Sequence, residues 1–238
     1  MLRRRGPRRY EVRVSGAQVL LRHGSRDIST FDEVFCSAVY EPPDVVLSAL
    51  EDLDRPPRMV DLGANVGLFS AFAVGRWPGA QITAFEPDPE NLVLLRSSAA
   101  LNRARGNIDV VEAAAAGTSG TIPFVGGLNA GSYRADPDED ATSVEVRAVD
   151  VFEHLGGADL VKIDIEGGEW ELLCDKRLAM TGAQALVLEH HGRRCPTGDP
   201  RGTATQLLTA AGYEVHSPGP AINGVGMLWA WRYPTRPT

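Results

Sequence analysis

Lysine is nearly absent. Only Lys162 and Lys176 stand among the 24 basic residues of this 238-residue chain; the others are arginines. Cysteine is scarce as well. Cys36, Cys174 and Cys195 lie far apart and are odd in number, so they form no disulfide framework, and no CxxC spacing offers a metal knuckle. Reduced thiols and a cytoplasmic setting are the expectation. No stretch approaches the roughly 20 apolar residues that a spanning helix needs, so no membrane contact is expected. The N-terminal arginines are not followed by the apolar run of a secretory leader. Positive charge is also missing from most of the chain. Residues 1–9 hold five arginines and no acid, and the remainder carries 19 basic against 31 acidic residues, a net −12. An acidic body excludes a broad nucleic-acid footprint. The basic head, residues 1–9, is expected to fray into solvent outside the ordered fold.

What is present is ordinary globular material. Hydrophobic residues make up 43% and charged residues 23%, which excludes disordered, collagenous and coiled-coil classes. The length suits about one domain. Residues 10–22 show two alternating runs around Ser15-Gly16 and predict a β-hairpin. Residues 29–54 read as helical on either side of Pro42-Pro43, with Ser29 or Thr30 as N-cap. Residues 10–57 therefore form an N-terminal hairpin and helical cap. From residue 58 to 238 strands and helices alternate, with hairpin material at 119–149 around a polar insert. That alternation predicts an α/β fold with a mostly parallel sheet, helices on both faces and a closing antiparallel pair at the C-terminus. Ligands of such sheets sit at the carboxyl ends of the strands.

The strongest motif is Val60-Asp61-Leu62-Gly63-Ala64-Asn65-Val66-Gly67-Leu68, a strand running through a glycine turn into a helix. The helix N-terminus offers free N–H groups. A dinucleotide fingerprint needs G-x-G-x-x-G, and Asn65 and Leu68 break it. Phe85-Glu86-Pro87-Asp88 follows, with Glu86 placed 19 residues after Gly67 at the end of the second strand. An acid there accepts hydrogen bonds from both hydroxyls of an adenosine ribose.

These two strings resemble the cofactor motifs of class I S-adenosylmethionine-dependent methyltransferases. With Ala148-Val149-Asp150 and Leu160-Val161-Lys162-Ile163-Asp164-Ile165-Glu166-Gly167-Gly168-Glu169, the chain is similar to the FkbM family of methyltransferases from about residue 27 to about 191. The resemblance implies a Rossmann-like fold with a seven-stranded sheet. It implies an enzyme using S-adenosylmethionine, releasing S-adenosylhomocysteine, and methylating a hydroxyl of a sugar or natural product in biosynthesis. Carried over by motif, Asp61, Gly63, Asn65 and Gly67 hold the methionine part, with Asp61 reaching its ammonium. Glu86 binds the ribose, Pro87 and Asp88 shape the adenine edge, and Glu112 and Ala113 meet the adenine at the third strand end. Tyr40, in the cap, is a further cofactor or substrate contact. N- or C-methylation and a non-catalytic nucleotide-binding module are the alternatives.

Acceptor chemistry needs a proton removed from the hydroxyl. Lys162, Asp164 and Glu166 share one strand face at period two if the strand persists through residue 165. Asp164 and Glu166 are the candidates to line the acceptor pocket, and Lys162 satisfies the cluster internally. Glu169 opens the next helix, where an acid suits the dipole. Glu189-His190-His191 ends another strand, and alternation turns only one histidine toward the acceptor. Either His190 or His191 is then the general base. With no local ligand motif, a metal-free transfer to a small-molecule acceptor is expected, a divalent cation on Asp164 and a histidine being the alternative, in a chain with sheet edges open to a homodimer.

Overall fold

The two N-terminal runs pair as their alternation requires. The structure, a computed structural model, describes residues 6–126, 133–134 and 143–233. It opens with β1 (Arg8–Glu11) and β2 (Gln18–Leu21), antiparallel with Tyr10 opposite Val19. Strand β1 starts earlier than the charge pattern suggests: Arg8 and Arg9 belong to it, because exposed basic side chains suit an edge strand. The helical stretch divides into α1 (Asp27–Phe35) and α2 (Asp44–Glu51), split by Pro42-Pro43. Helix α1 also starts before the expected caps. Ser29 and Thr30 lie inside its first turn, where their hydroxyls bond back to the Arg26 carbonyl.

The alternating region follows as β3 (Arg58–Leu62), α3 (Leu68–Arg76), β4 (Gln81–Glu86), α4 (Pro89–Leu101) and β5 (Asn107–Glu112). Asp88 caps α4, accepting from the Glu90 and Asn91 amides, with Pro89 in the first turn. A smaller sheet comes next, formed by β6 (Ala114–Ala116), β7 (Gly120–Val125), β8 (Tyr133–Arg134) and β9 (Val144–Asp150) in the order β6-β9-β7-β8. The β7–β9 pair is the expected hairpin material. Strand β6 was not legible, since a run of alanines has little β preference. Most of the polar insert, including residues 135–140, lies outside the described residues. The chain closes with α5 (Phe152–Leu155), β10 (Leu160–Ile163), α6 (Glu169–Cys174), β11 (Ala185–His190), α7 (Pro200–Ala210), β12 (Glu214–His216) and β13 (Gly226–Trp231).

The large sheet has seven strands in the order β12-β13-β11-β10-β3-β4-β5. All pairings from β11 to β5 are parallel, and β13 runs antiparallel to both its neighbours. This is the expected α/β architecture. One face packs Met59, Phe69, Val187 and Trp229 against the cap residues Val34, Val46 and Leu50. The other packs Leu62, Val161 and Leu186 against Ala204 and Leu208 of α7. The chain winds outward from β3 through β4 and β5, then returns to the other side of β3 with β10. The loops after β3 and β10 therefore diverge and leave a crevice between them. Among the described residues no helix is long and apolar enough to cross a membrane. The three cysteines are free thiols.

Candidate active site

The loop after β3 is built by backbone that few side chains tolerate. Gly63 has φ +80°, and a Cβ there would lie 1.8 Å from the Asp164 carbonyl oxygen. The glycine thus lets the β3 and β10 loops touch. Gly67 has φ +88°, with Leu95 beside the space a Cβ would take. Asn65 also adopts a left-handed φ of +51°. The Gly63 and Ala64 amides donate to the Phe85 carbonyl, which ties the loop to the end of β4.

Beside this loop lies a solvent-open cleft of about 700 Å³. Gly63, Asn65, Glu86, Pro87 and Asn91 form one wall. Glu86 is only 4% exposed. Its Oε2 accepts from the Asn65 amide at 2.7 Å and its Oε1 from the Asp88 amide at 2.8 Å. The Asn91 carboxamide donates to Oε1 at 3.4 Å. Burial pushes the Glu86 carboxyl up to about 7, opposed by the amides of Asp88 and Asn65. Asn91 is set by the cap: Arg22 donates to its Oδ1 at 2.8 Å while forking onto the buried Asp27. The apolar wall is Phe85, Ala114, Ala115, Ile122 and Phe124, from β4 and the smaller sheet. Asp164, Ile165, Glu166, Gly168 and Glu171 complete the lining.

Asp61, Asp88, Glu112 and Ala113, all expected as cofactor contacts, do not line the cleft. Asp61 is fully buried and does not line the cleft. Ser70 Oγ donates to its Oδ2 at 2.7 Å and the Lys162 ammonium lies 3.4 Å from its Oδ1, so its charge is already answered from within the core. Glu112 ends the outermost strand, is exposed, and pairs with Arg96 at 2.7 Å. Ala113 is packed in the core, and the next two residues, Ala114 and Ala115, meet the cleft instead. Asp88 serves as the α4 cap.

Lys162 has the internal role expected of it. Its Nζ donates to the Gly63 carbonyl at 2.6 Å and lies 3.4 Å from both Asp61 and Asp164. Burial would lower its pKa, but Asp164, Asp61 and Glu189 outweigh burial and raise it. The shared strand face does not extend to Glu166. Strand β10 stops at Ile163, and Glu166 (φ +52°) and Gly167 (φ +99°) turn the chain. The turn still returns Glu166 to the cleft.

The two histidines separate cleanly. His190 is fully buried on the opposite face of β11, near Gly226, and burial lowers its pKa. It does not line the cleft, in contrast to the expectation that it could face an acceptor there. His191 follows the strand end and turns toward Glu166, Oε2 of which lies 3.4 Å from Nε2. The fully buried Glu169 accepts from the His191 amide at 2.8 Å and bonds Nδ1 at 3.1 Å. Burial would lower the His191 pKa, but that bond and the charges of Asp164, Glu169 and Glu166 hold it at about 9. Glu189, which sequence reasoning passed over, is lifted to about 8 by Asp164 and by burial. Tyr40 is buried edge-on to Phe69, and Glu33 of α1 feels the Asp164 charge. After burial, Asp164 and Glu189 are the main influences raising the Tyr40 pKa. The cap thus closes over the carboxylates.

The Methyltransferase FkbM domain family matches residues 61–215 of the chain. Methyltransferase sdnD of Sordaria araneosa is 31% identical over 142 residues, 57% of this chain and 51% of that protein, so the match spans about half of that relative. Hexuronic acid methyltransferase AglP of Haloferax volcanii is 24% identical over 172 residues, 71% of this chain and 68% of that protein. Among solved structures, methyltransferase FkbM from Methylobacillus flagellatus KT has a TM-score of 0.51 at 16% identity, covering 87% of this chain and 59% of that one. At that identity the likeness is one of fold.

Proposed function

This chain belongs to the FkbM methyltransferase family, and we propose that it transfers the methyl group of S-adenosylmethionine to a hydroxyl oxygen of a small molecule such as a sugar or natural product. Glu86 carries the proposal. A carboxyl at the end of β4, inside the cleft and fixed by two amides, is an acceptor-only group suited to a vicinal diol. The apolar wall of Ala114, Ala115, Ile122 and Phe124 suits a flat base beyond that diol. Gly63, Asn65 and Gly67 with the start of α3 supply backbone for the methionine end. Asp164, which also lines the cleft, favours a cationic centre. When bound, S-adenosylmethionine supplies a methyl carbon activated by a sulfonium.

The chain's own task is to align the acceptor and exclude water. Asp164 and Glu166 line the acceptor end, and Tyr40 and α1 cover it. His191, whose pKa its neighbouring carboxylates raise to about 9, sits among them and organises them. An oxygen acceptor draws support from AglP, since the nucleophiles of a hexuronic acid are all oxygens. Calorimetry tests the cofactor half. S-adenosylhomocysteine is expected to bind and NAD not to bind, and Glu86→Ala is expected to weaken the first at least tenfold; unchanged affinity overturns the assignment. Transfer of labelled methyl to a panel of sugar acids, polyols and amines tests the oxygen half, and turnover confined to amines refutes it.

A further inference from the structure

We propose that Asp164, Glu166 and His191 form a site for one divalent cation, best matched by Mn²⁺, at the acceptor end of the cleft. Its role rests on the oxygen-acceptor reading above; its existence rests on geometry. One ligand atom from each residue lies within 4.8 Å of the others. A six-coordinate ion with bonds of about 2.1 Å spans about 4.2 Å between opposite ligands, so small side-chain adjustments close the site. The backbone already delivers all three groups. Asp164 follows β10, Glu166 stands in the left-handed turn after it, and His191 follows the neighbouring parallel strand β11.

His191 supplies an independent observation. Its side chain is 8% exposed, and its two nitrogens have different surroundings. Nδ1 is held by Glu169, itself fully buried and fixed by the Gly167 and His191 amides. Nε2 faces two further carboxylates, Glu166 Oε2 at 3.4 Å and Glu189 Oε1 at 3.9 Å. A carboxylate on the far nitrogen, with the near nitrogen facing further carboxylates, is how metal-bound imidazoles are oriented. Lys162, which pairs with Asp164, is shared with Asp61 and committed to the Gly63 carbonyl. Two carboxylates and one imidazole suit Mn²⁺, which takes oxygen ligands readily and tolerates imidazole, better than Mg²⁺, which prefers oxygen alone. An ion there stands beside the cleft, where it can orient an acceptor hydroxyl and lower its pKa.

The test is a Mn²⁺ titration of the full, EDTA-treated chain, followed by the electron paramagnetic resonance of free Mn²⁺, with saturating S-adenosylhomocysteine present. One Mn²⁺ per chain is expected. Glu166→Gln, His191→Gln and the positioning variant Glu169→Gln are each expected to weaken it at least about tenfold. The S-adenosylhomocysteine affinity of Glu169→Gln, whose side chain does not line the cleft, is expected to stay within twofold. No binding by the wild type up to about 1 mM Mn²⁺ overturns the site, as do variants that bind like the wild type. Should a variant lose both ligands through misfolding, wild-type proton NMR decides. Mn²⁺ broadening the His191 ring signals before those of His23, His154 and His216 supports the site, and uniform broadening refutes it. Mn²⁺ bound without S-adenosylhomocysteine affinity would instead sink the cofactor reading and leave the ion site standing.

Discussion

Protonating Glu86 probes the cofactor end of the cleft more finely than deleting it. Burial lifts this carboxyl from the ordinary 4.5 to about 7, although amides of Asp88 and Asn65 favour the anion. A diol needs two acceptor oxygens, and only the ionised carboxyl offers both. With a pKa of about 7, roughly one site in eleven is ionised at pH 6 and about ten in eleven at pH 8. S-adenosylhomocysteine affinity is therefore expected to rise about tenfold from pH 6 to pH 8, or about 1.4 kcal/mol. Folding responds in the opposite direction. The folded carboxyl keeps its proton to about 7, whereas the unfolded one releases it near 4.5. The folded state binds more protons in that window, so this contribution to stability is complete below 4.5 and is lost as pH rises through 7. The whole step is worth about 3 kcal/mol. Glu86→Gln removes both dependences. It also turns a carboxamide NH₂ toward the amide of Asn65 or Asp88, at a cost of about 1–3 kcal/mol. Calorimetry at pH 6, 7 and 8 and urea titrations over the same range make the comparison. If wild type and Glu86→Gln show the same pH slope in affinity, another group titrates and Glu86 does not hold the diol.

Gly63→Ala drives a Cβ into the Asp164 carbonyl at a positive φ; a loss of at least about 2 kcal/mol is expected in denaturant titration, with much weaker S-adenosylhomocysteine binding. Arg22→Ala leaves the buried Asp27 without its ion pair and frees Asn91 to rotate away from Glu86. Its expected costs are about 2–4 kcal/mol of stability and a several-fold loss of cofactor affinity, and a change in stability with no change in affinity would break the proposed link. His190→Leu exchanges a buried, uncharged ring for an apolar one of similar size. Stability within about 1 kcal/mol and retained methyl transfer are expected, and abolished turnover in a folded variant would restore His190 to the chemistry. Phe124→Ala removes part of the apolar wall and is expected to weaken S-adenosylhomocysteine about three- to tenfold by calorimetry.

The glycine loop, the Glu86 strand end and the parallel sheet were legible because each is encoded locally. Positive-φ glycines announce the turn, and an acid ending an apolar run announces the site. The apolar wall of the cleft was not legible. It comes from β4 and from a separate sheet whose placement is a tertiary matter, and Ala114, Ala115, Ile122 and Phe124 carry no polar signal. Glu112 misled for a related reason. It ends the edge strand β5, and an edge position leaves its side chain to Arg96 and solvent. Arg22 reaches Asn91 across 69 residues, a contact that only the packing of the hairpin on α4 creates.

The side on which His190 lies was closer to hand than it looked, because strand parity places it. Ala185 and Val187 face the cap-side core, and Leu186 and Leu188 face the core beneath α7. Continuing the alternation puts Glu189 on the cap side and His190 under α7. Cross-strand register completes the picture. Lys162 stands opposite Asp61 on one side and Val187 on the other, so Asp61, Lys162 and Glu189 occupy one face of the sheet below Tyr40. Part of the chain's acid is thus buried around Lys162 under the cap rather than spread over the surface. His191 escapes the parity rule because β11 ends one residue earlier. Its direction comes from Glu169 instead, which grips both its amide and its Nδ1. A residue beyond the last ladder bond has no face assigned by the strand, so its orientation depends on side chains packed from elsewhere. Here that partner is the first residue of α6.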